Sequence, residues 1–83
     1  MNEAEVRQTL RAYITRELIR DAKYPLKDDE GIISGGLMDS FALAELGVFV
    51  EKTYDIYVPD PELTVARMDT LDLIVARVLR DLK

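Results

Sequence analysis

Apolar residues recur at helical spacing in three stretches of the chain. From Glu3 to about Ile19, Val6, Leu10, Tyr13, Ile14 and Leu18 share one face, while Arg7, Gln8, Arg11, Arg16 and Glu17 point to water. That pattern predicts an amphipathic first helix. A second helix is predicted from about Ser40 to Thr53, with Leu43, Leu46, Val50 and Tyr54 as its inward stripe and Gly47 beside them. The last helix begins near Thr70, where Leu71, Ile74, Val75, Val78 and Leu82 oppose Asp72, Arg77, Arg80 and Asp81. Between the first two helices, Pro25, Asp28-Asp29-Glu30-Gly31 and Ser34-Gly35-Gly36 break regular structure and predict a long loop over Tyr24 to Asp39. Leu26, Ile32 and Ile33 lay that loop against the core, and a loop of this length held so is usually functional. Asp55-Ile56-Tyr57-Val58 is β-prone but has no partner strand, so it reads as an extended connector. Asp60-Pro61-Glu62 looks like a helix start, with Asp as cap and Pro at the first position, leading into a short third helix. The expected fold is all-α: a small four-helix bundle of three long helices and one short one, in a single domain over residues 1–83.

Phe41, Ala44 and Val48 fall on a different face of the second helix from its inward stripe, interleaved with Glu45 and Glu51. One packed face does not need that much apolar surface, so part of it is expected to be exposed for docking. If the helix were rotated, the same three residues would be core.

Composition narrows the chemistry. The 83 residues include 11 basic and 16 acidic side chains, a net charge of −5, so nucleic acid is not an expected partner and basic protein surfaces are. No apolar run approaches the roughly 20 residues of a spanning helix, and the acidic start, Met1 to Glu5, lacks an apolar signal region; a cytoplasmic protein is expected. Cys and His are both absent, which removes thiolate nucleophiles, histidine bases and nearly every zinc or haem site. Neither a catalytic centre nor a metal site is expected. The Asp28-Asp29-Glu30-Gly31 run lacks the alternating ligands and terminal Glu of a calcium loop and reads as solvated surface. The tyrosines read as core-edge residues. A chain so equipped would take part in chemistry by carrying a group that other proteins act upon, as a substrate rather than an enzyme.

The stretch Gly36-Leu37-Met38-Asp39-Ser40-Phe41 fits that role. Glycines release the chain from the loop, Asp39 caps the helix and Ser40 falls on its first turn, with its hydroxyl exposed at the positive end of the helix dipole. An anion attached there would be favoured by the dipole and the backbone N–H groups. Asp39-Ser40 also reads as a plain helix cap, both residue types being common at helix starts.

These residues resemble the modification motif of the acyl and peptidyl carrier proteins, Gly-x-x-Asp-Ser-Leu/Phe. The resemblance runs on through Leu46, Val50, Glu51, Tyr54, Asp55, Val58, Pro59 and Asp60, and Thr70-Leu71-x-x-Ile74 looks like the start of the family's last helix. It implies that Ser40 is the attachment position of a 4′-phosphopantetheine arm derived from coenzyme A, whose thiol would hold cargo as a thioester. It also implies that Asp39 helps a phosphopantetheinyl transferase recognise its target, and that Phe41, Ala44, Glu45, Val48 and Glu51 form the partner-binding face. The implied partners are that transferase and an adenylating ligase, acyltransferase or condensing enzyme, meeting a monomeric carrier. Magnesium would be needed by the modifying enzyme, not held by the carrier.

Departures from the pattern bear on the pathway. Ala42 and Lys52 occupy positions often acidic in fatty-acid-synthesis carriers. Phe after the serine is common in stand-alone carriers outside primary fatty-acid synthesis, including the D-alanyl carriers of teichoic acid modification. A specialised carrier, in a secondary-metabolite or cell-envelope pathway, is therefore expected over the housekeeping one. Gly47 stands where a core aliphatic is common and leaves room either for close packing or for cargo. The competing function is an unmodified helical adaptor that binds partner proteins through its second helix.

Overall fold

The computed structural model describes residues 2–82, so Met1 and Lys83 of the expected 1–83 domain lie outside it. Helix α1 spans Glu3–Tyr13, and Asn2 caps it by accepting from the Glu5 N–H at 2.9 Å. The helical run continues to Ile19 as expected, but its last part, Ile14–Ile19, widens into a π-helical turn. Thr15 is buried at that point, and its hydroxyl donates to the Arg11 carbonyl at 2.9 Å, which competes with the regular ladder. Arg20 closes the turn in the left-handed region, φ 65°, with its N–H donating to the Thr15 carbonyl.

Helix α2 spans Ala42–Tyr54, a short α3 spans Val65–Met68, and α4 spans Leu71–Asp81. Thr70 caps α4, accepting from the Leu73 N–H at 3.1 Å. The helix count and lengths are those of the expected bundle, and the described residues form no strand. Among them no helix is long and apolar enough to cross a membrane. Two boundaries differ from the sequence reading. Ser40 lies in the turn before α2 and not inside it. Asp60–Glu62 is itself a 3₁₀ turn, with Pro61 inside it, and the third helix starts only after Thr64.

The core takes Val6, Leu10 and Ile14 from the first helical run, Leu43, Leu46 and Val50 from α2, Met68 from α3, and Leu71, Ile74, Val75 and Val78 from α4. Fully burying each such side chain is worth about 1.5–3 kcal/mol. The connector contributes Ile56 and Val58 while Tyr57 points out, the alternation of an extended segment. Tyr13, Tyr24 and Tyr54 are half-buried at the core edge, so only Tyr57 departs from the expectation for the tyrosines.

The long loop is tied down, as Leu26 and Ile32 predict by being buried. Arg7 and Arg11, expected to face water, are half-buried instead. Arg7 pairs with Asp72 at 2.6 Å, Glu3 at 3.1 Å and Asp28 at 3.3 Å; Arg11 pairs with Asp28 and donates to the Leu26 carbonyl at 3.2 Å. The acidic run is correspondingly not plain solvated surface: Asp28 joins the loop to α1, and Glu30 accepts from the Tyr24 hydroxyl and from the Lys27 N–H at 3.1 Å. The Tyr24 bond is the main reason the Glu30 carboxyl is held below its usual range.

Asp69 is the anchor nearest the glycine-rich segment. Its carboxylate accepts from the N–H groups of Ile33 (2.8 Å) and Ser34 (3.0 Å) and from the Ser34 hydroxyl (2.6 Å), and its carbonyl accepts from the Ile32 N–H at 2.7 Å. Burial opposes charge on Asp69, but the Ser34 hydroxyl and the two amides outweigh it, and the carboxyl titrates below its ordinary value. A folded-state value below the unfolded one gives stability that is complete above the unfolded value and is lost as pH falls through the folded one. Asp69→Asn should therefore destabilise the domain at neutral pH by about 2 kcal/mol, the scale of hydrogen bonds to a charged group. It should also flatten the acid limb of the stability curve. Denaturant midpoints of both proteins between neutral and acid pH check this; parallel curves would show that Asp69 is not the anchor.

Candidate functional site

Asp69 holds the stretch that leads to the motif. From Gly31 the chain coils tightly, with the Leu37 N–H reaching the Ile32 carbonyl at 2.9 Å. Gly35 has no room for a side chain, since a Cβ would stand 2.3 Å from the Gly31 carbonyl oxygen, and Gly36 takes φ +80°, a backbone that L side chains rarely adopt. Met38 then drops into the core and fixes the level at which Asp39 and Ser40 emerge.

Asp39 accepts from the Ala42 N–H through both its carboxylate (3.2 Å) and its carbonyl (3.2 Å). The Ser40 and Phe41 carbonyls accept in turn from Leu43 and Ala44, each at 3.2 Å, so the chain enters α2 through a tight, 3₁₀-like turn. Asp39 thus caps the helix from outside it. Ser40 is exposed, and its hydroxyl has no hydrogen-bond partner among the described residues. The other serine, Ser34, is engaged by Asp69. A free hydroxyl at the positive end of a helix is accessible to a visiting catalyst. Its neighbour Asp39 is engaged through Oδ1 as the cap.

Helix α2 shows two faces. Leu43, Leu46, Gly47 and Val50 are buried, while Phe41, Ala44, Glu45, Val48 and Glu51 are all exposed, Phe41 by 84% and Val48 by 53%. The helix is therefore not rotated so as to bury Phe41, Ala44 and Val48. Apolar side chains framed by carboxylates make this face suited to a surface that is apolar and basic. On the buried side, Gly47 serves close packing: a Cβ there would meet Leu63 Cδ1 at 3.2 Å.

Between the end of the first helical run and the start of α2 lies a cleft of about 400 Å³, lined by the residues on either side of Ser40 but not by Ser40 itself. Asp39 and Phe41 border it on one side, Glu17, Leu18 and Arg20 on the other. Sequence reasoning did not single out Arg20. Its position at the end of the helix gives no motif, and only the left-handed backbone marks it. Asp69 was also missed, because its partners lie 35 and 36 residues away in the chain.

No family model matches the chain. The D-alanyl carrier proteins of Lactobacillus helveticus and Lactobacillus acidophilus are 42% and 40% identical to it over 50 residues, a match taking in 60% of this chain. The aligned stretch covers 63% of each relative, so less than two thirds of their length is represented here. Over that stretch the chain is similar to curated proteins named as carriers, in agreement with the family that the Gly36 to Phe41 motif resembles.

Proposed function

We propose that this chain is an acyl or aminoacyl carrier in which Ser40 bears a 4′-phosphopantetheine arm through a phosphodiester. The observation that carries the proposal is the free, exposed Ser40 hydroxyl that follows the capping Asp39 at the start of α2. The attachment position fits the group: the Ser40 hydroxyl is exposed and unengaged. When bound, the arm supplies a thiol that a chain without cysteine lacks, and so allows thioester bonding to cargo. The carrier names of the relatives support the role, and make a D-alanyl group the first cargo to test.

In this reading a phosphopantetheinyl transferase, using coenzyme A, modifies Ser40, and an adenylating ligase or acyltransferase loads the product. The work is done in the cytoplasm by a monomer. Asp39 holds the turn so that Ser40 faces outward. Phe41, Ala44, Val48, Glu45 and Glu51 dock successive enzymes weakly, and tethering raises the local concentration of cargo at each active site. Intact mass before and after incubation with a transferase and coenzyme A tests the proposal. A mass gain located at Ser40 supports it. An unchanged mass favours the adaptor, for which the exposed Phe41 and Val48 face would serve without modification.

Charge reversal on that face provides a separate check. Glu45→Lys or Glu51→Lys should slow loading or modification roughly tenfold at low salt, with the deficit shrinking at high salt and the helical circular dichroism unchanged. Equal rates for variant and wild-type proteins at low salt would remove these residues from the docking surface.

A further inference from the structure

The cleft flanked by Asp39 and Phe41, the neighbours of Ser40, is rich in negative charge, which would repel the anion that modification brings next to it. Among the described residues, Asp39 and Glu45 line it without a cationic partner, and Glu17 lines it already paired with Arg16 at 3.3 Å. The N–H groups of Ala42, Leu43 and Ala44, at the start of α2, are bonded to the carbonyls of Asp39, Ser40 and Phe41. They offer an anion on Ser40 the field of the helix but no direct hydrogen bond. Arg20 supplies the one formal positive charge among the residues lining the cleft. Like Arg67, it has no ion-pair partner among the described residues, whereas Arg7, Arg11, Arg16, Arg77 and Arg80 each have at least one.

Its backbone makes the choice of residue informative. Arg20 sits at φ 65°, where glycine or asparagine is the comfortable occupant at a helix end. A long cationic side chain is thus placed at a strained backbone position, facing a cleft flanked by the neighbours of Ser40. Guanidinium matches phosphate oxygens in geometry and stays charged at all accessible pH.

We propose that Arg20 is a positioning residue that pairs with the phosphodiester at Ser40 and so lays the arm over the cleft between the first helical run and α2. The proposal rests on the carrier reading. It assigns Arg20 no part in bond making: the phosphodiester keeps its single negative charge, and the ion pair replaces water around it. Leu18 and Met38 line the same cleft and would be the residues nearest to an arm laid over it.

The test compares wild-type protein with Arg20→Gly and Arg20→Lys, each incubated with a transferase and coenzyme A and checked by intact mass. Glycine suits the left-handed backbone, so Arg20→Gly should fold at least as well as the parent. Nitrogen–proton NMR at low salt, including the guanidinium Nε–H signals, then reads where the arm lies. In the wild-type protein, attachment should move the Arg20 Nε–H signal and the amides of Leu18 and Met38 as well as those of residues 39–42. In Arg20→Gly the shift at Leu18 should be lost while the mass gain and the shifts at 39–42 remain; Arg20→Lys should keep part of it. A wild-type mass gain with no movement at Arg20 or Leu18, or the same Leu18 shift in Arg20→Gly, would overturn the positioning role and leave the carrier reading intact. Absence of any mass gain in the wild-type protein would overturn both.

Discussion

Val50→Asp is expected to unfold the protein at room temperature. Val50 is fully buried in the middle of α2, between Leu46 and the core residues of the other helices. An aspartate there would bring an unpaired charge into an apolar surround, which costs several kcal/mol, and would remove the burial of the valine as well. A domain of this length has a total stability of about 4–12 kcal/mol, at roughly 0.05–0.15 kcal/mol per residue, so a single such change consumes most of it. Val48→Asp, two positions away on the exposed face, is the matched control and should fold normally. Far-ultraviolet circular dichroism and the dispersion of amide proton signals distinguish the two. A helical Val50→Asp beside an unfolded Val48→Asp would show that the inward and outward faces of α2 are assigned the wrong way round.

The second large effect is chemical. Ser40→Ala should abolish the mass gain with coenzyme A and all downstream loading, while changing stability by less than about 0.5 kcal/mol, because an exposed, unbonded hydroxyl holds nothing together. Ser34 provides the internal comparison. Its hydroxyl donates to Asp69 at 2.6 Å, so Ser34→Ala should loosen the loop yet leave modification in place. If Ser40→Ala still gained mass, a different hydroxyl would be the acceptor and the resemblance in the motif would have misled.

Periodicity was a reliable guide wherever one face of a helix decides burial. The stripes of α1, α2 and α4 are where apolar spacing put them, because burying a whole face outweighs the preference of any single residue. The motif from Gly36 to Phe41 was legible for a different reason: its cap, its positive-φ glycine and its exposed hydroxyl are all local properties of adjacent residues. What escaped were pairings that only the fold creates. Arg7 and Arg11 look like solvent-facing residues on a helical wheel, yet Asp28 and Asp72 reach them from the loop and from α4. Asp69 joins residues that no short window contains. The widened turn at Ile14–Ile19 coincides with one buried threonine bonding backwards, which hydrophobic spacing does not register. The third helix begins late because Asp60 and Pro61 are spent on a separate turn.

On the proposed carrier reading, the contact between Gly47 and Leu63 bears on what size of passenger would suit this protein. Leu63 projects from the segment between the 3₁₀ turn and α3 into the notch that the missing side chain of Gly47 leaves in α2. A long hydrocarbon tail seeking shelter on that side of the helix would have to evict a leucine already seated there. A small polar passenger needs no such berth and can travel in the open at the end of its tether.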